Sequence, residues 1–170
     1  VQTSENSPVF VHSGPFANIS HGNSSVVADL IAIRLTDYLV TECGFGADCG
    51  AEKLMDIKCR ESGLTPDLAV LVATVKGLMM HGLGTFDEKA INQENLAILE
   101  KGCRNLEKHI ANLKLFGLPV IVVINLFPED SESEISLLKE KSIQMGADDV
   151  AVTDVFNRGG EGGVELAEKV

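Results

Sequence analysis

The residues best suited to chemistry gather where short apolar runs give way to histidine, asparagine and glycine. The stretch FVHSGPFANISHGNSS, residues 10–25, closes an apolar run at His12, turns at Gly14-Pro15, and then presents Asn18, His21, Asn23 and Ser24. Neutral imidazole is the general acid or base available near pH 7, and two imidazoles flanking one turn point to proton transfer. His12 and His21 are therefore the candidate catalytic residues, with His12 the stronger. The competing reading is a polar loop whose side chains only cap the next helix. His81 and His109 read as structural.

Three other loops carry recognition chemistry. Phe45 sits between Gly44 and Gly46, where the backbone can fold tightly and leave the ring outside to stack on a flat heterocycle. A ring tucked into the core is the alternative. Asn125-Leu126-Phe127-Pro128 closes the most apolar segment, and a carboxamide at a strand end matches the donor and acceptor edge of adenine. An Asn that satisfies its own turn is the alternative there. Gly159-Gly160-Glu161-Gly162-Gly163 precedes a helical pattern, and consecutive glycine amides at a helix start form an anion nest. Asn125, Phe127, Pro128, Gly159 and Gly160 are thus the nucleotide-binding candidates. No G-x-x-x-x-G-K-[ST] occurs in the chain. Lys58, Arg60 and Arg158 lie near these loops and fit either phosphate contact or plain surface solvation.

Such residues need strands whose ends meet. Val9–Val11, Tyr38–Val40, Leu68–Val75, Pro119–Ile124 and Asp149–Thr153 are apolar or β-branched and predict strands, the third buried on both faces. Helical spacing of Val27, Leu30, Ile31 and Leu35 predicts a helix over 24–36, capped by Asn23 or Ser24. Further helices are expected over about 50–60, about 93–116, from the S-x-x-E box of Ser131 and Glu134 to about Met145, and after Gly163. Residues 76–84 fit more than one state, and those following read as a surface loop. Leu96, Leu99, Cys103, Leu106, Ile110 and Leu113 form a narrow stripe on the longest helix. It fits a helix packed on a sheet better than a coiled-coil seam, because strands flank it. The alternation predicts a single α/β domain over 1–170, a mainly parallel sheet with helices on both faces.

These blocks carry a resemblance. HSGPFANISHGN closely resembles the HGGPFANIAHG signature of formate–tetrahydrofolate ligase (formyltetrahydrofolate synthetase). TECGFGADCGAEKLMDIKCR, ATVKGLMMHG, VINLFPED and RGGEGGVELAEKV follow in the family's order. The resemblance implies a central segment of a longer ligase, lacking its P-loop, with a P-loop-NTPase-like three-layer arrangement. It implies that ATP phosphorylates formate and that N10 of tetrahydrofolate takes the formyl group from formyl phosphate. His12 matches the histidine that opens the signature. The Phe45 loop resembles part of the folate pocket, with Phe156 as its other wall. The family usually has Trp where this chain has Phe156, which puts affinity in doubt more than stacking. ATP with Mg2+ and tetrahydrofolate enter as substrates, the phosphate grip lying outside this segment. Implied partners are these small molecules, formate, the remainder of the ligase chain and a possible homo-oligomer. A truncated, non-catalytic folate- or nucleotide-binding or assembly module is the alternative.

Composition narrows the classes. At 170 residues with 45% hydrophobic and 23% charged content, the chain can bury a substantial core. A net charge of −11 argues against nucleic acid and anionic membrane surfaces as partners. No apolar run approaches the roughly 20 residues that span a bilayer. Val1-Gln2-Thr3 has no initiator Met and no signal-peptide pattern, so it reads as a cut boundary. Cys43, Cys49, Cys59 and Cys103 form no C-x-x-C pair and no histidines have ligand spacing, so no metal site is expected. Free thiols make the cytoplasm the simplest home.

Overall fold

The computed structural model describes residues 1–11, 21 and 23–170. They group into two compact units, Val1–Pro66 and Asp67–Val170.

In the Val1–Pro66 unit, local apolar pattern gives way to a buried ion pair. Helix α1 (Val26–Ala32) starts behind Ser25, whose hydroxyl accepts from the Ala28 amide at 3.4 Å, rather than behind Asn23 or Ser24. It turns Asp29 and Ala32 inward and leaves Val27, Ile31 and Leu35 exposed, the reverse of its apolar periodicity. The reason is Lys58, whose Nζ lies 2.5 Å from the Asp29 carboxylate with both side chains almost fully buried. A buried charge is tolerated only when paired, so the partner decides which face turns in. The expected strands at 9–11 and 38–40 do not form. Phe10, Val11, Tyr38 and Val40 are exposed, and the local pairings are single bridges, Gln2 with Pro8 and Asn23 with Cys43. Propensity makes a strand only when a neighbour supplies a ladder.

The expected helix over 50–60 is a continuous run of α2 (Gly50–Lys53), a π-helical turn (Leu54–Lys58) and α3 (Cys59–Ser62). The π turn carries Leu54 and Lys58 inward, and a left-handed Gly63 ends the run. Gly50 lies against the loop before it, where a Cβ would come 2.0 Å from the Gly44 carbonyl oxygen. That close approach holds the Gly44–Gly46 loop against the helix start.

The Asp67–Val170 unit contains, among the described residues, a three-stranded parallel sheet ordered β1 (Ala69–Ala73), β2 (Val120–Asn125), β3 (Asp149–Thr153). After β1, the ambiguous stretch is helical: α4 (Val75–Leu83) is capped by the Thr74 hydroxyl, which accepts from Gly77 N at 3.0 Å. A short α5 (Glu88–Ile91), capped by Asp87, stands where a plain loop was expected. Helix α6 (Leu96–Leu115) buries Leu99, Cys103, Leu106, Ile110 and Leu113. It packs most closely on α4, and also on the sheet. The stripe is consumed inside the unit and is not a free assembly seam. Helix α7 (Glu132–Gln144) opens with the expected capping box of Ser131 and Glu134. A four-residue α8 (Val155–Arg158), a 3-10 turn (Gly159–Gly163) and α9 (Val164–Lys169) complete the unit.

Strand β2 is buried along both faces, as a central parallel strand should be. Lys114 of α6 pairs with Asp148 beside one face, and Lys169 of α9 pairs with Asp149, which shares the opposite face with Ile121. Helices therefore flank the sheet on both sides, the expected three-layer α/β arrangement. Strand β1 departs from the expectation of two buried faces. It is an edge strand, and Val70 and Val72 are 42% and 64% exposed on the side where no helix covers it.

Candidate functional site

Because the three strands run parallel in matched register, with Ala73 beside Ile124 and Asn125 beside Thr153, their carboxyl ends open on one edge. That edge is where open α/β sheets bind ligands. It brings together Asn125, Phe127, Pro128, Phe156, Gly159 and Gly160. Asn125 ends β2 half-buried, and its carboxamide makes no hydrogen bond among the described residues. Other groups close the turn: Leu126 N donates to Thr153 O at 3.0 Å, and Phe127 N donates to Asp130 Oδ2 at 2.9 Å. The Asn therefore does not serve its own turn, and its donor and acceptor are unpaired among the described residues.

Across from this loop, Lys76 in the first turn of α4 reaches Glu129 Oε2 at 2.7 Å and lies 4.9 Å from the Phe127 ring centre. The Lys76 hydrogen bond holds the Glu129 carboxyl below its ordinary value. Burial pushes the Asp130 carboxyl up. At the next loop, Phe156 is 92% exposed. The glycines do not sit as a nest at a long helix start. They form a 3-10 turn folded back on Asp154, whose N donates to Gly162 O at 3.0 Å. A Cβ at Gly162 would come 2.3 Å from Asp154 O, so only glycine closes this loop. Gly159 and Gly160 remain on the exposed side.

In the Val1–Pro66 unit, His12 falls, with Gly14, Pro15 and Asn18, outside the described residues. His21 is exposed at the mouth of a cavity of about 210 Å³ that also involves Asn23, Ser24, Ile57, Lys58 and Glu61. The His21 carbonyl accepts from Asn23 Nδ2 at 2.5 Å, while Asn23 Oδ1 is buried with no partner among the described residues. Phe45 has φ +63° and a ring 66% exposed. A left-handed backbone is strained for an aromatic residue and concentrates at functional positions. The ring is not in the core. Lys58 is neither a solvated surface cation nor a free phosphate ligand, since Asp29 takes its charge. Arg60 pairs with Asp56 at 3.2 Å, and Arg158 is exposed. Burial pushes the Cys43 thiol up to about 11 and raises Cys59 and Cys103 as well, which leaves them poor nucleophiles. No cluster of three His, Cys, Asp or Glu suited to a metal occurs among the described residues.

Two residues of these sites were not singled out from sequence. Asp29 was hidden inside an apolar helical pattern, and Lys76 inside a segment of ambiguous state. Their partners lie 29 and 53 positions away, as Asp29 to Lys58 and Lys76 to Glu129, so no local signal announces them. The one available hint was a cation in the first turn of a helix, where the dipole disfavours it.

A three-stranded parallel sheet flanked by helices, with an unpaired carboxamide, exposed rings and glycine backbone at its carboxyl edge among the described residues, defines an α/β protein. The family model for formate–tetrahydrofolate ligase matches residues 1–170, and the chain belongs to that family.

Proposed function

We propose that this chain supplies folate and adenine contacts in an ATP-dependent ligase that makes 10-formyltetrahydrofolate. Formate attacks the γ-phosphorus of ATP, giving formyl phosphate and ADP. N10 of tetrahydrofolate then attacks the formyl carbon, phosphate leaves, and N10 gives up its proton. His12 and His21 are the groups proposed to take or relay that proton. Phe45, in the Val1–Pro66 unit, would stack on the pterin, and Phe156 is proposed separately as a folate-contacting ring. Asn125, Phe127 and Pro128 would meet the base, with Gly159 and Gly160 turning amides toward phosphate.

Phosphoryl transfer needs positioned cations and backbone donors around the γ-phosphate. Because no G-x-x-x-x-G-K-[ST] occurs in the chain, the family resemblance leads us to propose that the triphosphate grip lies outside this segment. Mg2+ would travel with ATP as part of the substrate. No helix among the described residues is long and apolar enough to cross a membrane, and a cytoplasmic setting is part of the proposal.

The observation that carries this reading is Phe45, an aromatic held at φ +63° with its ring turned outward. A strained position that forfeits burial of a ring needs a ligand to stack on it. Calorimetric titration of the chain with tetrahydrofolate tests it. Binding that falls by at least roughly tenfold in Phe45→Ala is the expected result, given stacking energies of about 1 kcal/mol or more beyond buried area. Binding that survives the substitution unchanged would remove Phe45 from the pterin site.

A further inference from the structure

We infer that Lys76 is a positioning residue that presets the adenine-reading loop and thereby sets base preference, an inference that rests on the nucleotide reading above. The cation stands in the first turn of α4, where the helix dipole opposes it, so α4 itself gives no reason for it. Its contacts lie across the edge of the sheet. The ammonium is 2.7 Å from Glu129 Oε2 and 4.9 Å from the Phe127 ring centre. It therefore grips the residues on either side of Pro128, whose ring already fixes φ near −65°. Phe127 is held a second time, because its amide donates to Asp130 Oδ2. Two residues before it stands Asn125 with its carboxamide unpaired among the described residues.

Reading a base requires that donor and acceptor be held in place before the ligand arrives, since ordering a loop on binding subtracts from affinity. Lys76 is the contact that ties this loop to α4. It also pairs with Glu129 and offsets that carboxylate's charge beside the loop. The side chain is about one quarter exposed, so its charge acts in partly desolvated surroundings, where cation–π and ionic contacts are stronger than on open surface.

The test uses the chain titrated with adenosine and, separately, guanosine, followed by NMR shifts, with tetrahydrofolate affinity and thermal midpoint measured alongside. Lys76→Met keeps the aliphatic stem and removes the charge. It should weaken adenosine binding by roughly five- to tenfold and narrow the preference over guanosine, while Lys76→Arg restores both. The folate affinity should not move, and the midpoint should fall by no more than the few degrees that losing one partly exposed ion pair costs. An equal loss for both nucleosides, or adenosine binding unchanged in Lys76→Met, overturns the positioning role while leaving the nucleotide site standing. Failure of the unsubstituted chain to bind adenosine overturns the nucleotide reading and this inference with it.

Discussion

Phe45 holds a backbone conformation against its own preference, and the ligand role proposed for it can be tested through that cost. The left-handed backbone costs an L-residue about 1–2 kcal/mol, and glycines on both sides make the bend possible without removing that cost. Phe45→Gly should therefore raise the urea midpoint of the chain, by an amount equivalent to about 1 kcal/mol, while folate binding falls. Equilibrium unfolding and titration of the same sample check both halves. A loss of stability instead would mean that the ring packs within its unit. The buried Lys58 and Asp29 pair is the contrasting case, a polar contact that organises structure. Replacing one partner would strand a charge in the interior, and such pairs fix geometry more than they add net stability.

At the scale of elements, the unit with the sheet depends on how closely α4 and α6 approach. Gly82 and Gly102 allow it: a Cβ on Gly102 would come 1.9 Å from the Leu78 carbonyl oxygen, and one on Gly82 would come 2.0 Å from that of Ile98. The obstructing atoms are backbone, so neither side can give by rotating a side chain. Gly102→Ala should destabilise the chain by about 1–3 kcal/mol even though alanine is the better helix former, because the helices must separate and loosen Met79 and Leu99 between them. Both of those side chains are fully buried. A denaturation midpoint unchanged in Gly102→Ala would contradict this packing. The long apolar stripe of α6 was legible in sequence, though its N-cap, Asn95, was not singled out. Its main partner was not. Glycines at 82 and 102 carry no apolar signal, yet they are what let α4 compete with the sheet for that stripe.

For the whole chain, charge decides the response to acid. Asp148 and Asp149 are held below the ordinary aspartate value, chiefly by hydrogen bonds from Lys114 and Lys169. A carboxyl depressed in the folded state contributes stability above its unfolded value of about 4 and loses it as pH falls through the folded value. Stability should thus decline below about pH 4, with protonation also weakening the ties between α6, α9 and the start of β3. Asp148→Asn should lower the urea midpoint at neutral pH and flatten the decline between pH 5 and pH 3; an unaltered slope would show that Asp148 is not one of the groups responsible. The net charge of −11 makes these few lysines matter, since they are committed locally and leave no general positive field for an anionic substrate.

Sequence alone determined the three sheet strands, the long helix after 93, the capped helix after Ser131 and the family, because apolar patterns, caps and long motif blocks are written in neighbouring residues; it did not determine α4 or α5. It also named Asn125 and Phe127, since strand ends and turns are local events, while Phe156 came only from the family resemblance. Only tertiary structure decided which apolar runs became strands: 120–124 gained two neighbours and is buried, while 38–40 gained none and stayed exposed. It alone revealed that Lys58 belongs to Asp29, and Lys76 to Phe127 and Glu129. Charges and rings choose partners by distance in space, and that distance exists only after the chain has folded.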